Sequence, residues 1–129
     1  MIPAVIVKMH NALKNREKTV EVWGDGTARR EFMYAGDLAE MIWSLIGNFD
    51  AMPELMNLGL GHDYTIKEYY QTVADVLGFH GDFSYDLTKP AGMKQKLVDI
   101  TRQKKLGLKP RHNLYEGIKK TYDYFLNTI

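Results

Sequence analysis

Residues 22–39 read Val22-Trp23-Gly24-Asp25-Gly26-Thr27-Ala28-Arg29-Arg30-Glu31-Phe32-Met33-Tyr34-Ala35-Gly36-Asp37-Leu38-Ala39. Thr19, Val20, Val22 and Trp23 favour a strand that Gly24-Asp25-Gly26 ends, because glycines in a turn accept backbone angles other residues resist. Arg30 to Tyr34 predicts a second short extended piece. Asp37-x-x-Glu40 then has the chemistry of a capping box ahead of Leu38, Met41, Ile42, Leu45 and Ile46, which predicts a helix to about Asn48. Strand, turn, short strand and helix within thirty residues point to a mixed α/β chain.

The flanks agree. Pro3 to about Asn15 carries Val5, Ile6, Met9 and Leu13 at helical spacing, with a proline suited to a first turn. On the other side, Leu55 to Leu60 is a short apolar run compatible with a buried strand. Thr65-x-x-Glu68 opens a helix with Ile66, Tyr69, Val73, Val76 and Leu77 inward and Gly78 as its stop. Phe83 to Asp86 and Lys96 to Val98 read as strands around a Lys89-Pro90-Ala91-Gly92 turn. Asp99 or Thr101 caps a short helix closed by Gly107, and Asn113-x-x-Glu116 opens a last one bearing Ile118, Tyr122, Phe125 and Leu126. The expected architecture is α/β, with short strands and about five helices in a single domain over residues 1–129.

Composition narrows the function. The 129 residues are 45% hydrophobic and include no cysteine, which excludes a thiol nucleophile, a zinc-thiolate site or an iron–sulfur site within the chain. A chain of this length buries roughly 65–70% of its extended surface and can build a core without staples. Its net charge of +1 is too balanced for a generic binder of nucleic acid or membrane surfaces. No apolar run suits a membrane span, and a cytoplasmic location is the expectation. His10, His62, His80 and His112 lack metal-ligand spacing and are expected on helix surfaces or in turns.

Two stretches imitate cofactor chemistry. Gly59-Leu60-Gly61 outlines a dinucleotide turn, but Tyr64 stands where the third glycine would allow close helix packing, so a simple turn with positive φ is the alternative. Tyr85/Lys89 and Tyr115/Lys119 have the Tyr-x-x-x-Lys spacing, which the abundance of both residues supplies by chance.

The Trp23 to Ala39 stretch resembles the substrate-domain signature of extended short-chain dehydrogenases acting on nucleotide sugars. With Asn57-Leu58-Gly59-Leu60-Gly61, Thr65-Ile66-Lys67-Glu68 and Lys89-Pro90-x-Gly92-x-x-x-Lys96-Leu97-x-Asp99, it is similar to the GDP-L-fucose synthase family, over nearly the whole chain but over that family's carboxyl-terminal part only. UDP-sugar epimerases and dehydratases share the first of these stretches. The resemblance implies that Arg30 meets the substrate diphosphate, Lys8 supports the same subsite, Trp23 lies beside the base and Lys89 belongs to a loop over the sugar nucleotide. A cross-strand salt bridge is the alternative for Arg30, solvated lysines for Lys8 and Lys89, and a core position for Trp23. Gly36, Ala91, Lys94 and Gln95 depart from the family's usual residues. The resemblance further implies that the catalytic residues and the NADP-binding turn precede Met1, so this chain alone would bind no cofactor. It would bind a GDP-sugar weakly, and would pair with the missing Rossmann portion or form a homo-oligomer. In that setting the Leu55 to Leu60 strand and the first helix would lose cover at Met56, Leu58, Val5 and Met9. A non-catalytic oligomerising or complementing module is the competing class.

Overall fold

A computed structural model describes residues 1–47, 49–90 and 92–128. The elements in chain order are α1 (Ile2–Asn15), β1 (Thr19–Trp23), β2 (Arg29–Arg30), α2 (Ala35–Ile46), a single 3-10 turn at Phe49–Ala51, β3 (Tyr64–Thr65), α3 (Ile66–Leu77), β4 (Asp82–Asp86), β5 (Gln95–Lys96), α4 (Thr101–Lys105) and α5 (Leu114–Leu126). The expected end of the second helix at Asn48 and Ala91 of the Lys89-Pro90-Ala91-Gly92 turn lie outside the described residues.

Local chemistry sets most of these boundaries. Thr65 accepts from the Glu68 amide at 3.1 Å while Glu68 returns a bond to the Thr65 amide at 2.7 Å, closing the expected capping box of α3. Asn113 and Glu116 do the same for α5. Both helices therefore begin where the sequence predicts, since the caps satisfy amides that have no partner inside the helix.

β1 and β4 pair in parallel, with Glu21 opposite Ser84 and Trp23 opposite Asp86. A smaller sheet has the order β3-β2-β5, in which β2 runs antiparallel to β3 and parallel to β5. Val20 and Val22 face inward and Thr19, Glu21 and Trp23 outward, the alternation of a half-buried strand. Onto the inner face pack Val5, Ile6, Met9 and Ala12 of α1, Tyr70, Val73 and Ala74 of α3, and Ile118 of α5. The three- and four-residue spacing of these side chains forms the apolar stripe a core-facing helix needs.

Three expectations are corrected. Asp37 is not an N-cap: α2 begins at Ala35 with Tyr34 before it, and the carboxylate is buried inside the first turn. His112 supplies its partners, through the ring Nδ1 at 2.6 Å and the backbone amide at 3.1 Å. The Leu55 to Leu60 run forms no strand, and Leu55 is exposed. Its polar backbone is held by side chains and loops instead: Gln103 donates to the Gly59 carbonyl and accepts from the Gly59 amide, and Asn57 donates to the Asp99 carbonyl. Val5 and Met9, expected to lose cover, are buried by α3 and β1, because a single helix can turn only one stripe inward and this one faces the chain's own core.

Apolar surface is instead exposed along α2 and just beyond it, at Ile42, Trp43, Ile46 and Phe49. No helix among the described residues is long and apolar enough to cross a membrane.

Candidate functional site

The Gly-Asp-Gly turn docks onto the start of α3. The carbonyls of Gly26 and Ala28 accept from the amides of Lys67 and Ile66 at 3.0 and 2.9 Å, occupying donors that a helix start leaves open. Gly26 has φ +75°, and a Cβ there would lie 2.9 Å from the Tyr85 ring. The turn is thus fixed at both ends. It joins Trp23, at the close of β1, to β2 and Arg30.

Trp23 is 61% exposed, which removes the core alternative for this indole. Its Nε1 donates to Glu21 Oε1 at 2.9 Å, and the Lys89 ammonium stands 5.6 Å from the ring centroid, within reach of a cation–π attraction. Lys8 on α1 donates to the Glu21 carbonyl at 2.6 Å, with Nζ 3.9 Å from the Glu21 carboxylate. Lys8, Glu21, Trp23 and Lys89 therefore form a continuous row.

Arg30 lies near Gly92, three residues after Lys89: a Cβ there would be 3.4 Å from Arg30 Nη2. Its guanidinium donates to the Arg29 carbonyl, and it enters no ion pair among the described residues. The salt bridge considered for it belongs to its neighbour: Arg29 Nε meets Asp63 Oδ1 at 2.7 Å. Gln95 also donates to Asp63, and these two partners hold the Asp63 carboxyl below the usual carboxylate range. The arginine with an acidic partner is Arg29, while Arg30 meets no carboxylate among the described residues.

The backbone at Arg30 is pinned from below by a residue the sequence reading placed only in a helix face. Tyr69 is fully buried, its hydroxyl donating to the Arg30 carbonyl at 2.9 Å and accepting from the Phe32 amide at 3.2 Å. Burial pushes its phenol up to about 12. The folded state thus retains a proton that the unfolded chain loses near pH ~10. Stability from this group is full below that pH and falls as pH rises toward the folded value. Chemical denaturation at rising alkaline pH is expected to show this decline, and Tyr69→Phe to flatten it while costing about 1–2 kcal/mol at neutral pH. An unchanged slope in the variant would remove Tyr69 as its source.

The cofactor-like motifs are not assembled. No strand runs into Gly59 among the described residues, and Gly61, at φ +67° where an added Cβ would meet Ile100, is the turn glycine of the simpler reading. These residues do not fit a dinucleotide. Lys89 lies over Trp23, and Lys119 pairs with Asp123 at 2.9 Å, so neither Tyr-x-x-x-Lys lysine is committed to its tyrosine. No cluster of three metal-ligating side chains occurs among the described residues. His10 bonds the Tyr122 hydroxyl at 3.1 Å, and His112 is tied to buried Asp37 rather than lying free in a turn. A cavity of about 480 Å³ between α1, α5 and residues 32–36 is lined mainly by apolar groups, among them Ile2, Phe32, Tyr34 and Leu114, and holds none of the four expected site residues.

The fold is thus α/β: a parallel two-stranded sheet under three helices, with an exposed tryptophan at the close of β1 beside Lys89. The family model described as NAD dependent epimerase/dehydratase family matches residues 1–59. Over those residues the chain is similar to that family. It is 53% identical over 98% of its length to a GDP-L-colitose synthase of Yersinia pseudotuberculosis and 45% identical, again over 98%, to a GDP-L-fucose synthase of Azorhizobium caulinodans. It spans only 41% and 40% of those two proteins. Among solved structures, a GDP-mannoheptose C4 reductase from Campylobacter jejuni with NADP bound superposes with a TM-score of 0.83 at 30% identity, covering 97% of this chain and 44% of that one.

Proposed function

We propose that the chain is the carboxyl-terminal, nucleotide-sugar-binding part of a GDP-L-fucose-synthase-like epimerase and reductase, forming one substrate domain over residues 1–129. The observation that carries this reading is the row from Lys8 through Trp23 and Lys89 to Arg30, in which an exposed indole is followed by cations and Arg30 has no carboxylate partner among the described residues. An indole offers a stacking face to a base, and a guanidinium fork meets two phosphate oxygens at once. Trp23 would take the base and Arg30 and Lys89 the diphosphate, with Lys8, on the Glu21 side of the indole, supporting that subsite from across the row. The ammonium of Lys8 is turned toward Glu21, so its part in phosphate binding requires a change of rotamer.

In the parent reaction a GDP-4-keto-6-deoxymannose is epimerised beside its keto group and then reduced by NADPH. This chain would contribute binding energy and orientation to that sequence. The acid, base and NADP-binding turn would belong to polypeptide beyond it, and a cytoplasmic setting is part of the same proposal. Calorimetric titration with GDP tests the reading: saturable binding supports it, and no heat at millimolar protein and ligand overturns it.

The α2 face favours a partner. Ile42, Trp43, Ile46 and Phe49 form an apolar surface of the kind that recruits cover, which a Rossmann portion would supply and a second copy of the chain would replace. Light scattering of the isolated chain at micromolar concentration is expected to give a homo-oligomer, and Trp43→Lys to shift it toward monomer. A monodisperse monomer that binds no hydrophobic dye would show that this face needs no cover.

A further inference from the structure

We propose that Glu21 selects guanine over other bases at this site, an inference that rests on the nucleotide-sugar reading above. Four acids flank Trp23 and Arg30: Glu31 has both oxygens held by the fold, Asp25 and Asp86 each have one oxygen held in a threonine turn, and Glu21 bonds the indole itself. Asp25 accepts from the amide and hydroxyl of Thr27, and Asp86 from those of Thr88. Glu31 accepts from the Gly61 and Val98 amides, one on each oxygen. Glu21 differs. Its side chain is about half exposed, and one oxygen receives the Trp23 indole N–H at 2.9 Å.

The arrangement gives this carboxylate a direction. Glu21 and Trp23 are two residues apart on the outward face of β1, so the carboxylate lies at the indole's N–H edge. Lys89 and, beyond its loop, Arg30 lie toward the other end of the row. A nucleoside diphosphate that stacks on the indole with its phosphates toward those cations turns the far edge of its base to Glu21. The reverse orientation would set phosphate beside the Glu21 carboxylate, which like charge disfavours and which the Lys8 ammonium, 3.9 Å from that carboxylate, offsets only in part.

An ionised carboxylate only accepts, and its two oxygens offer about four lone-pair positions, so the indole bond leaves capacity for two more donors. Guanine presents two adjacent donors, the ring N1–H and the exocyclic amine. Hypoxanthine presents the first alone. Uracil places its single N3–H between two carbonyl oxygens that face the carboxylate unfavourably. The matched pair of donors is therefore specific to guanine, and leaving part of a charged acceptor unpaired is costly.

Titration calorimetry of the whole chain with GDP, IDP and UDP tests this. The native chain is expected to bind GDP roughly tenfold more tightly than IDP, the scale of one charge-assisted hydrogen bond, and UDP more weakly than GDP. Glu21→Gln keeps an oxygen for the indole but turns an amide donor toward the base, and is expected to narrow the GDP to IDP ratio to about twofold or less. A ratio that survives Glu21→Gln, or UDP binding as tight as GDP in the native chain, overturns the assignment while leaving the nucleotide site standing. Binding of none of the three overturns both.

Discussion

Purified chain supplied with NADPH and GDP-4-keto-6-deoxymannose is expected to oxidise no NADPH above the uncatalysed rate, a loss of roughly 10⁶-fold or more against a working enzyme of this kind. General acid–base catalysis needs a titratable group within hydrogen-bond reach of the reacting carbon or oxygen, and hydride transfer needs a cofactor held against it. Around Trp23 and Arg30 the cations suit phosphate, and the acids accept from the indole, from threonines or from backbone amides. The two lysines that could lower a tyrosine pKa are directed to Trp23 and Asp123. Following NADPH absorbance with chain freed of host reductases checks this, and turnover that survives purification would refute it. Activity restored by adding the remaining part of a relative as a separate polypeptide would support a complementing subunit.

Arg30→Ala is expected to weaken GDP binding by about 1.5–3 kcal/mol, or roughly 10- to 150-fold, the range for hydrogen bonds to charged groups. The variant is a clean probe of the ligand. The guanidinium enters no ion pair among the described residues, while the Tyr69 bond goes to the Arg30 backbone carbonyl, which alanine retains. Arg30→Lys keeps the charge without the fork and should fall between the two. Arg29→Ala, by contrast, breaks the bond to buried Asp63 and should appear first as lost stability. Calorimetry beside thermal melts separates the two arginines. Equal GDP affinities of native chain and Arg30→Ala would give Arg30 a purely structural role.

The site was legible in proportion to how local its chemistry is. Trp23, Arg30 and Lys89 could be singled out because they sit in short motifs with recognisable residue types. The partner of Trp23 could have been found as well, since the alternation of β1 puts Glu21 on the same face two residues away. Tyr69 carried no such signal: helical spacing marks it as inward but not as the residue beneath Arg30, thirty-nine positions earlier. The Leu55 to Leu60 run misled because a short apolar stretch has the same composition whether a neighbouring strand or a side chain such as Gln103 satisfies its backbone.

By itself the sequence determined the α/β class, four of the five helix starts to within two residues, and the strands at β1 and β4. These follow from forces acting within a few positions: capping bonds three residues apart, apolar spacing along one helix, and glycine turns. Only the tertiary structure decided which arginine is paired, that Asp37 serves His112 instead of capping α2, that α1 covers its own core, and that Lys8, Glu21, Trp23 and Lys89 form one row. Such contacts join positions tens of residues apart. A side chain's chemical type permits many partners, and the packing that excludes water selects among them.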